Sequence, residues 1–358
     1  MSVRVLHVTG ARPNFPKASP VVHSLREHGV DQRLVHTGQH YDERMSEVFF
    51  RQLGLSEPDV NLGVGSGTHA VQTGAIMRGL ERLLLHDPPR LVVVYGDVNS
   101  TLAGALVAAK LGIPFAHVEA GLRSFNRTMP EEINRLVTDR LADLLFATSP
   151  DAVAHLGSEG VPSERIHFVG NPMIDTLLAN LDRFDVVRVR AALRLPERYL
   201  VATLHRPGNV DDAGDAAELT KAVHGAADQL PVVMPVHPRG RASLAAAGMF
   251  DHPRIQVVEP MGYVEFLSLV RGAAVVITDS GGVQEETTML GIPCLTLRPD
   301  TERPVTITHG TNRLVDRAGL AAAVQAALET PRPTRSATPP LWDGRAGERI
   351  ADVILDFL

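Results

Sequence analysis

The stretch of residues 117–132 combines acids and bases in a spacing that suits chemistry on an anionic substrate. It reads His-Val-Glu-Ala-Gly-Leu-Arg-Ser-Phe-Asn-Arg-Thr-Met-Pro-Glu-Glu, with Glu119 and Glu131 at its two ends. Arg123 and Arg127 lie between them. Carboxylates can transfer protons, and guanidinium groups bind anions. A solvated loop with surface ion pairs is the simpler interpretation of this segment when it is considered alone.

A further acidic residue, Asp97, follows the apolar run at 91–95. It precedes a helical pattern, so one interpretation is that it caps that helix. Asn99 and Ser100 are competent caps as well, which would leave Asp97 free to face a ligand. Open parallel sheets bind ligands at the carboxyl ends of their strands, where Asp97 and Glu119 are both expected. Both interpretations of Asp97 remain open from the residues alone.

Residues 279–282, Asp-Ser-Gly-Gly, are the strongest local signal for phosphate binding. They follow a Val-Val-Ile strand and precede a helix, so that backbone N–H groups can approach a diphosphate closely. One helical turn later, Glu285 or Glu286 can accept hydrogen bonds from ribose hydroxyls. An ordinary glycine turn before a helix is the competing interpretation.

Basic residues follow several other predicted strands. The first strand-to-helix turn contains Gly10, Arg12 and Lys17, and Arg303 follows a later strand. His205 and His237 each end a predicted strand and are followed closely by an arginine, which favours a rim that faces phosphate. His36 and His40 have a spacing that suits a metal, but they span a turn with no carboxylate motif, so no metal site is predicted.

Common cofactor motifs are missing from the sequence. No Gly-x-Gly-x-x-Gly follows the first strand, and no Gly-x-x-x-x-Gly-Lys-Ser/Thr occurs. No tyrosine has a lysine four residues later. Dinucleotide binding and hydride-transfer epimerisation are therefore disfavoured, and no cofactor is expected.

Composition narrows the function classes. The chain has 358 residues, 35 Lys+Arg against 41 Asp+Glu and 4% aromatic residues, which argues against a nucleic-acid surface. Its single cysteine, Cys294, allows no internal disulfide. The first apolar run is short and interrupted, so it is interpreted as a strand rather than a signal peptide. No apolar run approaches the ~20 residues that are needed to cross a bilayer. We expect a soluble, cytoplasmic protein without a membrane segment.

Short apolar runs alternate with longer amphipathic ones, as in α/β proteins with parallel sheets. The predicted strands lie near 3–8, 33–36, 91–95, 113–118, 144–147, 166–169, 199–204, 232–236, 255–258, 274–278 and 293–297. The helical patterns lie near 16–28, 42–53, 69–86, 100–110, 131–141, 150–158, 213–228, 239–247, 262–270, 282–290, 318–329 and 345–358. This alternation pauses around Gly170-Asn171-Pro172, and residues 173–195 are interpreted as a connecting helix and linker. This organisation predicts two Rossmann-like, doubly wound domains, 1–171 and 172–344, with the ligand site in a cleft between them.

The chain resembles the non-hydrolysing UDP-N-acetylglucosamine 2-epimerases. The shared motifs, in family order from residue 3 to about 315, are Gly10-x-Arg12-Pro13, Gly38-Gln39-His40, Gly96-Asp97, His117-Val-Glu-Ala-Gly-Leu-Arg123, Met129-Pro-Glu-Glu132, His205-Arg206, Asp279-Ser-Gly-Gly-Val-Gln-Glu-Glu286 and Thr301-Glu-Arg-Pro304. The resemblance implies the GT-B architecture of two Rossmann-like domains. It also implies that the final helix, 345–358, returns to the first domain and that the protein is a homodimer.

The resemblance further implies a reaction in two stages without a cofactor. UDP leaves C1 by anti elimination as the C2 proton is removed, which gives 2-acetamidoglucal, and UDP then re-adds while a proton reaches the opposite face of C2. The catalytic residues implied by the motifs are Asp97, Glu119, Glu131 and His205. The residues implied to hold UDP are Arg12, Lys17, His205, Ser280, Gly281, Gly282, Glu286 and Arg303. His40, Arg123 and His237 are further candidates for the cleft.

Three places depart from the best-known bacterial members of the family. Asp42 and the turn Ser66-Gly67 stand where regulated members hold a second, activating substrate molecule, and Val305 replaces a glutamate. We therefore expect no activation by the forward substrate. The segments 36–41 and 122–126 look closer to epimerases of UDP-2,3-diacetamido-glucuronic acid, the alternative substrate. A GT-B glycosyltransferase is the alternative from another class, and its chemistry does not need three carboxylates in the first domain.

Overall fold

The structure is a computed structural model that describes residues 4–39, 43–204, 213–236, 238–331 and 338–358. The chain divides into two compact units. Unit 1 comprises Met1–Ala179 and Pro340–Leu358, and unit 2 comprises Asn180–Pro339. Each unit contains one parallel sheet, so the predicted fold class of two doubly wound α/β domains is confirmed.

The sheet of unit 1 has seven parallel strands in the order β3-β2-β1-β4-β5-β6-β7. The strands are β1 Val5–Thr9, β2 Gln32–His36, β3 Val60–Asn61, β4 Leu91–Tyr95, β5 Phe115–Ala120, β6 Leu144–Ala147 and β7 Ile166–Phe168. The central strands β1 and β4 are buried along their whole length, which explains their nearly continuous Val and Leu content. The helices between the strands are α1 Phe15–Glu27, α2 Glu43–Gln52, α3 His69–His86, α4 Asn99–Leu111, α5 Pro130–Leu141, α6 Pro150–Ser158 and α7 Pro172–Ala179.

The sheet of unit 2 repeats this winding with six parallel strands in the order β10-β9-β8-β11-β12-β13. The strands are β8 Leu200–Thr203, β9 Val232–Pro235, β10 Ile255–Val258, β11 Val275–Thr278, β12 Cys294–Thr296 and β13 Asn312–Leu314. The described helices are α8 Val186–Leu193, α9 Ala213–Ala227, α10 Pro238–Ala246, α11 Tyr263–Gly272, α12 Gly281–Leu290, α13 Val305–Thr308 and α14 Leu320–Glu329. A buried aliphatic core fills the space between sheet and helices.

The last helix, α15 Ala346–Phe357, packs against α1 in unit 1. Its buried face, which includes Ile350 and Ile354, joins the core on that side of the first sheet. Helix α7 also packs on α1, and Asp175 of α7 accepts a hydrogen bond of 2.7 Å from the Gly347 backbone N–H. These contacts place 172–179 in unit 1, which extends to Ala179, whereas the sequence suggested a division after residue 171.

Two short strands and three helices differ from the sequence-based expectations. Strands β3 and β13 were not predicted; each lies at the edge of a sheet and has only two or three residues, too few for a periodic pattern. The segment interpreted as a connecting helix and linker contains the separate helices α7 and α8, and the four-residue helix α13 was also not predicted. In the described part of the chain, no helix combines the length and apolar character that crossing a bilayer requires.

Candidate active site

The strand order of unit 1 reverses between β1 and β4, and open α/β sheets bind ligands at such a point. The turn after β1 carries Arg12 and leads into α1, which contains Lys17. The turn after β4 carries Asp97. Gly10 lets these elements approach, because a Cβ atom there would lie 1.9 Å from the Ser100 hydroxyl oxygen. Arg12, Lys17 and Asp97 thus follow the carboxyl ends of two neighbouring strands.

A buried ion pair joins Lys17 to Glu119 at this edge. The two residues are 5% and 3% exposed. Glu119 lies in β5, where the register with β6 shifts, and its backbone adopts a φ of +77°. A residue with a Cβ atom rarely adopts this left-handed conformation, so the fold holds the Glu119 carboxylate in place at a cost.

Gly96 connects this ion pair to Asp97. Its φ is +64°, and a Cβ atom there would lie 2.9 Å from the Lys17 ammonium nitrogen and 3.1 Å from a Glu119 carboxylate oxygen. The Gly96 backbone therefore lies directly against both side chains. A side chain at this position would disturb Lys17 and Glu119 together.

Asp97 is held by Arg135 of α5 rather than acting as a helix cap. The Arg135 guanidinium pairs with Asp97 and also with Glu132, at 2.5 Å. Glu132 in turn accepts hydrogen bonds of 3.0 Å from the backbone N–H groups of Ser124 and Phe125. Burial alone would raise the pKa of Glu132, but hydrogen bonds from Arg135 and Ser124 lower it below its usual value. Sequence reasoning missed Arg135, although its three-residue spacing from Glu132 on one helix face was a usable signal.

Glu131 and Arg123 have very different surroundings. Glu131 lies in the first turn of α5 and is half-buried, and its side chain makes no ion pair or hydrogen bond with another described residue. Arg123 is 2% exposed and pairs with Asp139 and with Glu159, at 2.7 Å each. Burial would lower the pKa of Arg123, but these two carboxylates raise it. The guanidinium of Arg123 is therefore engaged inside unit 1.

The Ser-Gly-Gly turn of unit 2 leads from β11 into α12, as the sequence indicated. Ser280 is the residue before the helix, and its side chain makes no capping hydrogen bond. Gly281 and Gly282 form the start of the helix, where backbone N–H groups lack partners within the helix. The N-terminus of a ten-residue helix thus presents donors at the strand-order reversal between β8 and β11.

Arg303 lies over the start of α12. A Cβ atom on Gly281 would be 2.3 Å from an Arg303 guanidinium nitrogen, so glycine is required for this approach. Arg303 pairs with Glu302 and with Glu285, the latter at 3.0 Å. These carboxylates hold the guanidinium beside the helix N-terminus.

Glu286 is buried on α12, 5% exposed, next to Glu285 and the hydroxyl group of Tyr263. Burial and the neighbouring Glu285 carboxylate raise the pKa of Glu286 to about 8. A carboxyl group at this position can accept hydrogen bonds from ribose hydroxyls once it is ionised, the role expected for Glu286.

The raised pKa of Glu286 predicts a pH-dependent stability. Between pH 4.5 and 8 the folded state keeps the proton on Glu286 and the unfolded state loses it. Stability therefore falls as the pH rises through this window. Relative to a Glu286→Gln variant, the unfolding free energy of the wild type should fall by ~3–5 kcal/mol between pH 4.5 and 9. Calorimetry across this range measures the difference.

The exposed residue Glu197 of the same unit offers a matched control for this measurement. A Glu197→Gln variant should follow the wild-type pH profile. Parallel profiles for the wild type and the Glu286→Gln variant would show that burial does not perturb Glu286.

Three candidates lie outside the described residues: His40, His205 and His237. Of the other candidates, the structure brings together Lys17, Glu119 and the Gly96–Asp97 turn in unit 1. In unit 2 it brings together Ser280, Gly281, Gly282 and Arg303, with Glu286 on the same helix. Arg12 is half-buried in the turn after β1.

The described residues thus form two doubly wound α/β units, one with buried carboxylates and one with a glycine-rich helix N-terminus. The family model for UDP-N-acetylglucosamine 2-epimerase matches residues 23–355. The chain belongs to this family.

Relatives support the assignment over nearly the whole chain. The chain is 41% identical to the UDP-N-acetylglucosamine 2-epimerase of Methanocaldococcus jannaschii over 97% of each protein. It is 42% identical to the UDP-2,3-diacetamido-2,3-dideoxy-D-glucuronate 2-epimerase of Pseudomonas aeruginosa, over 88% of this chain and 89% of that protein.

Solved structures agree with the fold. The M. jannaschii UDP-GlcNAc 2-epimerase in complex with UDP-GlcNAc and UDP aligns with a TM-score of 0.93 at 40% identity, over 99% of each chain. The Neisseria meningitidis UDP-GlcNAc 2-epimerase bound to UDP-GlcNAc aligns with a TM-score of 0.90 at 27% identity, over 99% of this chain and 100% of the other.

Proposed function

We propose that the protein interconverts UDP-GlcNAc and UDP-ManNAc without hydrolysis. The observation that carries this proposal is the group of carboxylates at the carboxyl edge of the first sheet. Asp97 and the buried Glu119 stand at or beside the strand-order reversal, and Glu131 begins the adjacent helix. Epimerisation at C2 requires proton removal from one face and proton delivery to the other, which such a group can perform.

The reaction proceeds by elimination and re-addition. A carboxylate takes the C2 proton while the C1–O bond breaks, both bonding electrons leave with UDP, and 2-acetamidoglucal forms. UDP oxygen then attacks C1 again while an acid delivers a proton to the opposite face of C2. Asp97, Glu119 and Glu131 share this acid–base work and stabilise positive charge at C1. The C2 hydrogen is exchanged as a proton, so the chemistry needs no redox cofactor.

UDP binding is assigned to backbone N–H groups and to charged side chains. The helix N-terminus at Ser280, Gly281 and Gly282, together with Arg303, suits the diphosphate, and Glu286 suits the ribose. Further contacts are assigned to Arg12, Lys17 and His205. Charge develops on the diphosphate as the C1–O bond breaks, so fixed donors at this place lower the barrier.

Product analysis tests the substrate assignment directly. Purified enzyme is incubated with UDP-GlcNAc alone, and NMR should show UDP-ManNAc appearing until an equilibrium mixture is reached. The competing substrate is UDP-2,3-diacetamido-glucuronic acid, because a relative of similar identity acts on that compound. A kcat/KM for this sugar at least tenfold above that for UDP-GlcNAc would reassign the substrate while keeping the chemistry. Transfer of the sugar to an acceptor, with no epimer formed, would indicate a glycosyltransferase instead.

A homodimer is proposed, as the family resemblance implies, with helix α3 at its interface. Val71 and Leu85 of this helix are 68% and 65% exposed, and contact with a second copy would remove this apolar surface from water. Light scattering should give the mass of two chains, and a Val71→Asp variant should shift it towards one.

Activation by UDP-GlcNAc is expected to be absent, as the sequence predicts. Asp42 lies outside the described residues, so this proposal rests on residue type alone. The initial rate from pure UDP-ManNAc should show no lag that a trace of UDP-GlcNAc removes.

A further inference from the structure

A fully buried group of charged side chains lies behind the carboxylates of unit 1. It consists of His117 on β5, Asp139 on α5 and Arg123, which are 0%, 2% and 2% exposed. One Asp139 oxygen lies 2.6 Å from His117 Nδ1, and the other lies 2.7 Å from the Arg123 guanidinium. None of the three is among the residues assigned to acid–base work on the sugar.

His117 and Asp139 each hold a backbone group next to a proposed catalytic residue. His117 Nε2 lies 2.8 Å from the Gly96 carbonyl oxygen, and Gly96 directly precedes Asp97. Asp139 accepts a hydrogen bond of 3.0 Å from the Gly121 N–H, two residues after Glu119. The His117–Asp139 pair thus contacts the turn that carries Asp97 and the backbone just after Glu119.

The hydrogen bonds of this pair follow from its partners. A carbonyl oxygen can only accept, so His117 donates to Gly96 through Nε2. The other ring nitrogen, Nδ1, is hydrogen-bonded to Asp139. Burial alone would raise the pKa of Asp139, but His117 and Arg123 lower it, which is consistent with an ionised group.

These two segments contain residues with positive φ angles, which the hydrogen bonds to His117 and Asp139 hold in place. Gly96, Glu119 and Gly121 have φ values of +64°, +77° and +82°. Glu119 carries a Cβ atom, so this conformation persists only where surrounding contacts enforce it. Because Gly96 also packs against the Lys17–Glu119 pair, a shift of its carbonyl would move both proposed catalytic side chains.

We propose that His117 is a positioning residue for epimerisation, which fixes Asp97 and Glu119 through the Gly96 carbonyl and Asp139. This inference rests on the proposed function, since it requires that these carboxylates act on the sugar. His117 itself touches backbone and Asp139, not substrate, so its removal should affect turnover and leave nucleotide binding intact.

Two substitutions separate its two hydrogen bonds. In a His117→Gln variant the amide nitrogen can reach the position of Nε2 and keep the bond to Gly96. In a His117→Asn variant the amide nitrogen replaces Nδ1 and keeps only the bond to Asp139. We expect kcat to fall on the order of 10²-fold in His117→Asn, because misplacement by about 1 Å has this effect. In His117→Gln the loss should stay within about tenfold, and KM and UDP affinity should be near the wild-type values in both.

His7 supplies a matched control for lost stability. It is also fully buried on a central strand, and it bonds to Tyr95 and Gln32 at 2.7 and 2.8 Å. A His7→Asn variant should lower the melting temperature while kcat stays near the wild-type value. A purely structural role for His117 predicts instead that kcat of the folded His117 variants is unchanged.

The outcomes distinguish this inference from the proposed function. If the wild type epimerises UDP-GlcNAc and His117→Asn keeps wild-type kcat, or if His117→Gln and His117→Asn lose turnover equally, the positioning role is overturned and the proposed function stands. If the wild type epimerises no UDP-sugar, the proposed function fails, and the role of His117 fails with it. Selective loss of kcat in His117→Asn, with partial rescue in His117→Gln, supports the inference.

Discussion

Replacing any of the three proposed catalytic carboxylates by its amide should lower turnover by on the order of 10²-fold or more. The variants are Asp97→Asn, Glu119→Gln and Glu131→Gln. Each removes a proton-transferring group from the edge of the first sheet but keeps its size. UDP affinity should change little, because the phosphate and ribose contacts are assigned mainly to unit 2. Steady-state kinetics and calorimetry with UDP measure the two quantities separately.

Asp143 gives a matched control for these substitutions. It precedes β6, at the opposite edge of the same sheet, and accepts a hydrogen bond of 2.9 Å from the Phe115 N–H. The amide oxygen introduced by Asp143→Asn could keep that bond, so this variant should retain wild-type turnover. Near wild-type turnover in two of the three active-site variants would mean that the acid–base group has been assigned to the wrong residues.

Replacing only one partner of the Lys17–Glu119 ion pair by an uncharged residue should destabilise unit 1 strongly. Both groups are nearly fully buried. Removing one partner leaves the other charge in a poorly solvated site, which costs about 3–5 kcal/mol in buried pairs. Lys17→Met should therefore be much less stable than the wild type. The double variant Lys17→Met/Glu119→Gln should recover most of this loss, because no buried charge is left without its partner, yet it should remain inactive.

The single tryptophan makes this experiment specific to unit 1. Trp342 is 1% exposed and donates a hydrogen bond of 2.9 Å to the Thr148 carbonyl, so its fluorescence follows this unit. Urea unfolding of the wild type, both single variants and the double variant gives a coupling energy, expected above about 4 kcal/mol because each single loss is large and the double loss is small. The exposed pair Arg345–Glu348 of the same unit is the control, with a coupling below ~0.5 kcal/mol. Equal couplings for the two pairs would mean that the Lys17–Glu119 pair is solvated.

The regular part of the fold could be predicted from local sequence patterns. Runs such as Leu-Val-Val-Val-Tyr at 91–95 are apolar and rich in β-branched valine. The predicted ends of such strands therefore agree with the structure to within about two residues. Strands β3 and β13 were not predicted, because they form by pairing with a neighbouring strand at a sheet edge and have no apolar pattern of their own. The end of unit 1 could not be predicted from local patterns either, because helix α7 belongs to this unit through its packing against α1.

Residue types in the candidate site could be predicted, but not their partners. Glu119, Asp97 and the Ser-Gly-Gly turn were located because they follow apolar runs. That Lys17 pairs with Glu119, 102 residues away, depends on the order of strands and has no local signature. The same holds for Arg135 with Asp97 and for His117 with the Gly96 carbonyl, since in each case the partner comes from another element.

The proposed epimerisation deprotonates and reprotonates C2 and involves no hydride transfer. The most direct measurement is incubation of the enzyme with UDP-GlcNAc in D₂O, with no nicotinamide cofactor added, followed by NMR at C2. We expect UDP-ManNAc to form with deuterium at C2, and recovered UDP-GlcNAc to gain deuterium as equilibrium is approached. UDP-ManNAc that keeps its original C2 hydrogen would contradict the elimination mechanism.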